Sequence, residues 1–248
     1  MTIPRRGAAE AARRPPPIVD GVLRHGADQV RIRPWHHERD TAYVAPLGPV
    51  QARTVQRLLA DLRGRGARNV VTAALSPTEQ VPFLSAGFSR GEHLRVLERD
   101  LQGLPAPDDP ASRPRRARRP DHRLLAGVDH AAFEPAWRLG PGGLDDALRA
   151  TPSSRLRVVG RPGAVAYAVS GQAGRQGFVQ RLAVDAAHRH RGLGSALVLD
   201  GLRWMRRRGA RTALVNTQES NEAALALYQR LGFREQDGGL DVLTRPLD

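Results

Sequence analysis

The sequence predicts a mixed α/β fold arranged in two units. Three observations lead to this prediction. Short strand-like apolar runs alternate with helical patterns. A stretch rich in Pro and Arg separates two patterned regions near the middle of the chain, and these two regions resemble each other. A chain of 248 residues is long enough for two domains, because domains usually have roughly 100–150 residues.

The boundaries follow from composition. Residues 1–17 combine Arg pairs with a Pro run and few large apolar side chains, so we expect a disordered basic tail. Residues 104–114 have the same Pro-rich character and are predicted to form a linker. The two predicted units are therefore residues 18–103 and 115–248.

Periodicity predicts the elements of both units. In the first unit we expect strands at 29–35, 41–47, 69–75 and 93–101, and helices at 50–66 and 77–88. In the second unit we expect helices at 122–133, 195–209 and 221–231, and strands at 156–160, 164–170, 177–185, 212–216 and 240–247.

Composition excludes some classes of site and favours some partners. The chain has 39 basic and 25 acidic residues, a formal net charge of +14, which favours acidic or phosphorylated partners. An Arg- and Ala-rich composition is also what a GC-rich genome produces. The absence of Cys excludes disulfides, thiolate metal sites and a Cys nucleophile, and we expect no metal. No apolar run reaches the ~20 residues of a membrane span and no signal peptide is recognisable, so we expect a soluble cytoplasmic protein.

An internal repeat relates the two units. FLSAGFSR followed by LRVLERDL matches LYQRLGFR followed by LDVLTRPL, and upstream RGRGARNVV matches RRRGARTALV. The alternative is a chance similarity between Arg-rich segments. We interpret the repeat as a diverged duplication.

The segment FVQRLAVDAAHRHRGLGSALV predicts a phosphate site. A strand ends in a polar turn, and Gly192 and Gly194 lead directly into an apolar helix. Glycines let the backbone approach a ligand, and the free N–H groups and dipole of a first helical turn attract an anion. Arg189 and Arg191 add positive charge and Ser195 adds a hydroxyl.

A second segment follows about thirty residues later, NTQESNEAALALYQRLGF. Its helix places Asn221, Ala224 and Tyr228 on one face. Taken singly, Tyr228 is typical of a core residue and Asn221 of a helix cap. The two segments in this order are much more specific than either alone.

These two segments resemble the GNAT superfamily of N-acetyltransferases. The family's Arg/Gln-x-x-Gly-x-Gly/Ala pyrophosphate loop is matched by Arg189, His190, Arg191, Gly192, Leu193 and Gly194. Its Asn-x-x-Ala-x-x-x-Tyr-x-x-x-Gly-Phe segment is matched by residues 221–233. The resemblance covers about residue 114 to the end. It implies a twisted, mostly antiparallel sheet that splays between two strands and is flanked by helices, with a partial copy of this fold in the first unit.

The resemblance also implies a function for these residues. Acetyl-CoA would be the cosubstrate, with its pantetheine in the gap of the sheet and its pyrophosphate on the glycine loop beside Ser195 and Asn221. Leu182, Ala183 and Val184 would offer backbone hydrogen bonds to the pantetheine and to the acetyl oxygen. Tyr228 would donate a proton to the departing sulfur. The implied activity is direct transfer of an acetyl group to a primary amine.

The general base stays open. Many relatives that modify protein N-termini carry a Glu at the end of the strand before the tyrosine helix, and this chain has Asn216 there. The alternatives are Glu219, Glu134, Asp145 and a chain of water molecules. His188 and His190 are expected to be exposed loop residues.

The first unit lacks the residues that would bind CoA. Alignment of the repeat places Phe83 opposite Tyr228, and Pro46, Pro49 and Gln51 opposite Arg189, Gly192 and Gly194. We therefore expect a structural or recognition module, similar to tandem members of the superfamily in which one copy is silent. Mycothiol synthase is such a two-copy relative.

Two other functions are kept as alternatives. The first is a nucleic-acid- or ribosome-associated binding protein that uses its Arg clusters at 5–14 and 113–119 on phosphates, although these clusters lack interleaved aromatic residues. The second is a mycothiol-synthase-like enzyme, ranked lower because the first unit is short. The acceptor amine and the oligomeric state are left open.

Overall fold

A computed structural model describes residues 18–35, 38–105, 113–140 and 142–247. The predicted basic tail and most of the predicted linker lie outside these residues. The described residues form six helices and twelve strands. The helices are α1 (Ala52–Gly64), α2 (Pro77–Ser85), α3 (Arg119–Ala132), α4 (Gly143–Arg149), α5 (Leu193–Arg207) and α6 (Glu222–Arg230).

The strands alternate with these helices. They are β1 (Gly21–His25), β2 (Asp28–Trp35), β3 (Glu38–Pro46), β4 (Asn69–Leu75), β5 (Ser89–Asp100), β6 (Arg115–Arg116), β7 (Ser153–Val159), β8 (Ala166–Ala173), β9 (Gln176–Val184), β10 (Thr212–Gln218), β11 (Arg234–Glu235) and β12 (Leu240–Pro246). Each predicted strand and helix has a counterpart here. Sequence analysis missed β1, α4 and the two-residue strands β6 and β11, which are too short or too polar to show periodicity.

The chain folds as two compact units. The first contains the described residues up to Ala73, then Glu79–Ser89, and residues 243–247 near the C-terminus. The second contains Ala74–Thr78 and Arg90–Val242 in its described parts. The division therefore differs from a single boundary near residues 104–114. Most of β5, which the sequence places in the first half, belongs to the second unit, and the end of β12 belongs to the first.

The first unit is a small sheet with α1 packed on it. β1 to β3 pair as antiparallel neighbours, and β4 runs parallel to β3. Val55, Leu58 and Leu62 of α1 are fully buried because they recur at helical spacing on one face. The C-terminal residues complete the unit, since the Leu243 N–H donates to the Thr72 hydroxyl at 2.9 Å and the Leu247 N–H donates to the Arg68 carbonyl.

The second unit is a six-stranded sheet with helices on both faces. Its strand order is β5-β10-β9-β8-β7-β6, with β11 on the other edge of β5. Only the β9–β10 pair is parallel; the other pairs are antiparallel. On one face α5 and α6 bury a cluster that includes Leu202, Leu225 and Tyr228. On the other face α3 and α4 pack against β7, β8 and β9.

This architecture confirms the predicted mixed α/β fold with a mostly antiparallel sheet. No helix in the described ranges is both long enough and apolar enough to cross a membrane.

A buried ion pair fixes the start of the second unit. Arg115 on β6 donates to both carboxylate oxygens of Asp121 on α3, at 2.6 and 2.8 Å, and to the Gly160 carbonyl. The side chain of Asp121 is only 4% exposed. The Arg115 hydrogen bonds lower the pKa of Asp121 to about 2, although burial acts in the opposite direction. Arg115 therefore has a structural role, unlike the phosphate contact expected of the Arg113–Arg119 cluster.

Replacement of Arg115 by Met should destabilise the second unit by about 3–5 kcal/mol, because it leaves a buried carboxylate without its cation. Arg116→Met is the matched control, since the Arg116 side chain is exposed on the same strand, and should change the melting temperature little. The lowered pKa of Asp121 stabilises the folded state above about pH 4, and this contribution is lost as pH falls from about 4 to 2. Equal melting temperatures for the two variants at pH 7 would contradict the assignment.

Candidate functional site

The centre of the second unit is a gap between two parallel strands. β10 pairs with β9 over only three residues, Thr212–Leu214 against Gln176–Phe178. On its other side β10 stays paired with β5 along its whole length, from Thr212 to Gln218. Beyond Leu214 the strands β9 and β10 therefore diverge. The splayed sheet implied by the family resemblance is present.

The backbone of β9 faces this gap at two residues. The Asp185 N–H donates to the Val165 carbonyl, and the same register pairs Ala183 with Tyr167 on β8. Because successive residues of a strand direct their backbone groups to opposite sides, Ala183 bonds toward β8. Leu182 and Val184 direct their N–H and C=O groups into the gap. Of the three residues expected to offer backbone bonds there, two are placed to do so.

A bulge in β9 lies close to the point where β9 and β10 diverge. The register with β8 shifts between Val169 and Ser170, which pair with Arg181 and Val179, so Gln180 is the extra residue. Bulges bend a strand and increase its local twist. The bulge thus lies just before Leu182, where β9 and β10 have separated.

The predicted phosphate loop leads into α5 as expected. His190 and Gly192 both have left-handed backbone, with φ of 61° and 73°, and Gly192 is the N-cap without a side-chain cap. The N–H of Ala196 is the first to bond within the helix, to the Gly192 carbonyl. The three N–H groups of Leu193, Gly194 and Ser195 precede it and have no partner inside the helix. They form an anion-attracting helix terminus.

The two glycines of the loop are required for different physical reasons. A Cβ added to Gly192 would meet nothing within 4 Å, so the requirement there is the positive φ. A Cβ on Gly194 would lie 3.3 Å from the Leu227 side chain, so Gly194 is needed for the close packing of α6 against α5. The exposed Arg189 keeps its charge beside the loop, and its guanidinium donates to the Ala132 carbonyl at the end of α3. Arg191 is exposed.

Tyr228 lies in the apolar core that α5 and α6 form with the sheet. It is buried on α6, with its ring in edge-to-face contact with Phe233 at 5.5 Å between centroids. Burial alone raises the pKa of Tyr228, so the phenol stays protonated at neutral pH. Asn221 caps α6, because its Oδ1 accepts the Ala224 N–H at 3.1 Å. Tyr228 thus packs in the core and Asn221 caps a helix, which are the roles predicted for each residue when it is considered alone.

Arg181 organises the opposite face of the sheet. Its guanidinium makes a bidentate bond with buried Asp129 on α3, at 2.8 Å for each contact, and also donates to the Trp137 carbonyl. The Tyr167 hydroxyl and the Leu139 N–H fill the remaining lone pairs of Asp129. The pair therefore fixes the 3₁₀ turn at Pro135–Trp137 against β9.

Glu92 lies beside this turn, and sequence analysis missed it. The Trp137 indole N–H donates to its Oε2 at 2.9 Å, and the Gln218 amide donates to its Oε1 at 2.6 Å. Gln218 is the last residue of β10. Sequence analysis assigned β5 to the first unit, so no pattern connected Glu92 with the second; only the exchange of strands could have indicated it.

The carboxylates proposed from the sequence are all exposed. Glu219 is 58% exposed and bonded to Arg95 at 2.8 Å; this hydrogen bond lowers its pKa. Glu134 is an exposed N-cap of the 3₁₀ turn, and Asp145 is exposed in the first turn of α4. Asn216 lies on β10 opposite Val96 of β5. His190 is exposed, whereas His188 is half-buried and bonded to Asp185 at 3.1 Å.

The first unit has an internal carboxylate at its corresponding helix start. Asp28 accepts the N–H of Gln51, the N-cap of α1, at 2.9 Å, and the Thr54 hydroxyl at 2.6 Å. The Thr54 and Gln51 bonds lower the pKa of Asp28, so it is charged at neutral pH. Phe83 is fully buried against Phe88. A carboxylate therefore occupies the helix terminus that would otherwise attract a phosphate.

Comparison with known proteins gives a consistent result. A model of the acetyltransferase (GNAT) family matches residues 156–233. Mycothiol acetyltransferase of Thermobispora bispora is 31% identical over 76% of this chain and 70% of its own. Mycothiol acetyltransferase of Nocardioides sp. is 28% identical over 96% and 94%.

Solved structures share the fold. A tandem GNAT protein from the clavulanic acid biosynthesis pathway matches with a TM-score of 0.64 at 17% identity, over 92% of this chain and 82% of that one. A GCN5-related N-acetyltransferase from Sphaerobacter thermophilus matches with a TM-score of 0.62 at 18% identity, over 89% and 77%.

Gly192→Ala should weaken CoA binding at least roughly tenfold, because a residue with Cβ resists the left-handed conformation and its methyl group would enter the space before the helix terminus. Gly174→Ala is the matched control. Gly174 also has positive φ and open space around it, but lies in the turn between β8 and β9. Both variants should lose about 1–2 kcal/mol of stability. Calorimetry in which CoA binds both variants equally would contradict the loop assignment, as would two CoA sites per wild-type chain.

Proposed function

The chain belongs to the GNAT family of acetyltransferases, and from this premise we propose that its second unit transfers the acetyl group of acetyl-CoA to a primary amine. One observation carries the proposal: the gap between β9 and β10 is lined by free backbone groups of β9 and is followed along the chain by the free N–H groups at the start of α5. The amide groups of pantetheine can pair with the backbone groups of β9. The pyrophosphate of CoA can bind the N–H groups at the start of α5.

The residues present fit this cosubstrate. Leu182 and Val184 offer N–H and C=O groups on the side where β10 has left β9, so an extended ligand can add there as a strand would. Gly192 leaves open space before the helix terminus. Acetyl-CoA supplies the activated acyl group as a thioester. A backbone N–H of β9 in the gap is proposed to stabilise the negative charge that develops on the carbonyl oxygen.

Tyr228 is the proposed proton donor to the sulfur. Its raised pKa keeps the hydroxyl protonated at neutral pH, which a donor requires. Its ring is fixed by Phe233 in the core between α5 and α6. Within the described ranges no hydrogen bond to the Tyr228 hydroxyl occurs, so the phenol O–H is not already used by a neighbouring residue.

Membership of the family does not identify the acceptor amine. The mycothiol acetyltransferases similar to this chain over most of both lengths favour a small amine and strengthen the mycothiol-synthase-like alternative. A screen with labelled acetyl-CoA should therefore include small amines, cysteinyl conjugates and peptide N-termini. Failure to acetylate any amine class, with CoA bound, would contradict the proposed activity.

Tyr228→Phe should lower kcat by about 10²–10⁴-fold, the usual effect of losing a general acid, with CoA affinity and melting temperature retained because the ring still packs against Phe233. Tyr43→Phe, in the first unit, is the matched control and should leave kcat unchanged. Steady-state kinetics at saturating acetyl-CoA measure the difference. Full activity of Tyr228→Phe would make Tyr228 a packing residue only.

A second candidate function, binding of a nucleic acid, has one specific observation in its favour. Arg116, Arg155 and Arg157 line a cavity of about 470 Å³ together with Trp204. Arg155 and Arg157 share one carboxylate, Asp200, so this group of arginines keeps a positive excess. It lies about 16 Å along α5 from the start of that helix, at 1.5 Å per residue over the 11 residues from Leu193 to Trp204.

If this cavity binds phosphates, the Arg116→Gln and Arg157→Gln double variant should weaken binding of a single-stranded oligonucleotide and reduce the salt slope by about 0.7 for each lost contact. Arg149→Gln is the charge control, because Arg149 is 71% exposed on α4 and outside the cavity lining. Fluorescence anisotropy across a range of salt concentrations measures both quantities. Identical salt slopes for the double variant and the wild type would remove the support for this function.

A further inference from the structure

Glu92 has an unusual environment for a carboxylate of this protein. In a chain with 39 basic residues, four buried or half-buried carboxylates of the second unit have basic partners: Asp121 with Arg115, Asp129 with Arg181, Asp200 with Arg155, and Asp241 with Arg90 and His93. Glu92 is half-buried, and within the described residues it is bonded to neutral donors and to no cation. Its carboxylate is therefore not neutralised by a basic side chain among the described residues.

The position of Glu92 connects it with the gap. Gln218, which donates to Glu92, ends the strand β10 that forms one side of the gap. Trp137, the other donor, has its carbonyl bonded to Arg181 of β9, the strand on the other side. Glu92 thus bridges from the end of β10 to the turn fixed on β9.

Glu92 also lies on the face of the sheet away from α5 and α6. Gln218 pairs with Leu94 on β5, and side chains two residues apart on a strand share a face. Leu97 lies on the opposite face, in the core with Tyr228. The carboxylate of Glu92 and the phenol of Tyr228 therefore lie on opposite faces of the sheet.

We propose that Glu92 binds the ammonium group of the acceptor and takes its proton before attack. The inference rests on the proposed acetyl transfer and adds the residue that recognises a cationic primary amine. Trp137 and Gln218 each donate to a different oxygen of Glu92, which orients the carboxylate and leaves a further lone pair on each oxygen. Asp129 cannot take this role, because four donors already occupy it.

The proton and bond changes balance. Glu92 removes one proton from the ammonium, and the freed nitrogen lone pair attacks the thioester carbonyl carbon. The C–N bond forms, the C–S bond breaks, and Tyr228 donates its proton to the sulfur. The acylated nitrogen then loses a proton, and this proton restores the hydroxyl group of Tyr228. Glu92 passes its own proton to solvent, so one proton is released per turnover.

The charged groups around Glu92 do not replace it. Arg181 is paired with Asp129, and Arg90 and His93 are paired with Asp241. On the 3₁₀ turn and beside it, Glu134 is exposed and Arg138 donates to the Phe133 carbonyl. On β10 the neighbouring Thr217 and Asn216 are neutral, and Glu219 is bonded to Arg95. If a pH effect disappears when Glu92 is replaced, the effect is therefore assigned to Glu92 and not to a neighbouring charged group.

The test compares Glu92→Gln with wild type over a range of pH, with two acceptor probes: an alkylamine, which is protonated at neutral pH, and an alkoxyamine, which is not. With the alkylamine, kcat/KM at pH 7 should fall by about 10²–10³-fold. The loss should shrink as pH approaches the alkylamine pKa near ~10, and should be small with the alkoxyamine. CoA affinity should be unchanged by calorimetry. Glu219→Gln is the matched control and should behave as wild type.

A second variant covers the case in which Glu92→Gln fails to fold. Gln218→Lys places an ammonium beside Glu92 and should reproduce the selective loss with the alkylamine. Gln218→Met removes one of the two orienting hydrogen bonds without adding a charge and should cause a smaller loss. Unchanged kcat/KM in Glu92→Gln, or an equal loss for both probes at every pH, would overturn the role of Glu92. Acetylation of neither probe nor any other amine by the wild type would instead contradict the proposed function.

Discussion

The divergence of β9 from β10 is the constraint on which the rest of the second unit depends. Two parallel strands that separate after three paired residues leave backbone N–H and C=O groups without strand partners. Unpaired backbone groups in a protein interior cost free energy comparable to a lost hydrogen bond. The bulge at Gln180 bends β9 just before this opening, and a ligand with amide groups is proposed to pair with the backbone groups there.

The exchange of strands explains why both halves of the sequence are needed for one site. β5 is coded in the first half, yet it supports β10 along its full length in the second unit. Without that support the end of β10, which has left β9, would have no partner on either side. The same strand carries Glu92. A first copy that has lost its own phosphate loop therefore still contributes to the geometry of the proposed acceptor site.

Much of the fold and part of the site could be predicted from the sequence. Apolar periodicity located every long strand and helix, because burial of one face dictates the spacing of apolar residues. The glycine loop was recognisable because the positive φ of Gly192 and the tight packing at Gly194 each restrict the residue type. Glu92 could not be predicted, because its position depends on which unit β5 joins, and strand pairing between distant segments leaves no local pattern. The role of Arg115 was missed for a different reason: Asp121 is close in the sequence, but the two side chains meet only because β6 ends and α3 begins between them.

Asp28 gives the predicted absence of a CoA site in the first unit a physical explanation. The start of a helix attracts an anion through its free N–H groups, and a duplicated unit that no longer binds CoA would keep this unsatisfied terminus. In the first unit Asp28 provides the anion from within the chain, and the hydrogen bonds from Gln51 and Thr54 favour its charged form. A phosphate approaching α1 would meet a fixed negative charge and would have to break both bonds. The internal carboxylate therefore satisfies the start of α1, which agrees with the predicted absence of a CoA site in the first unit.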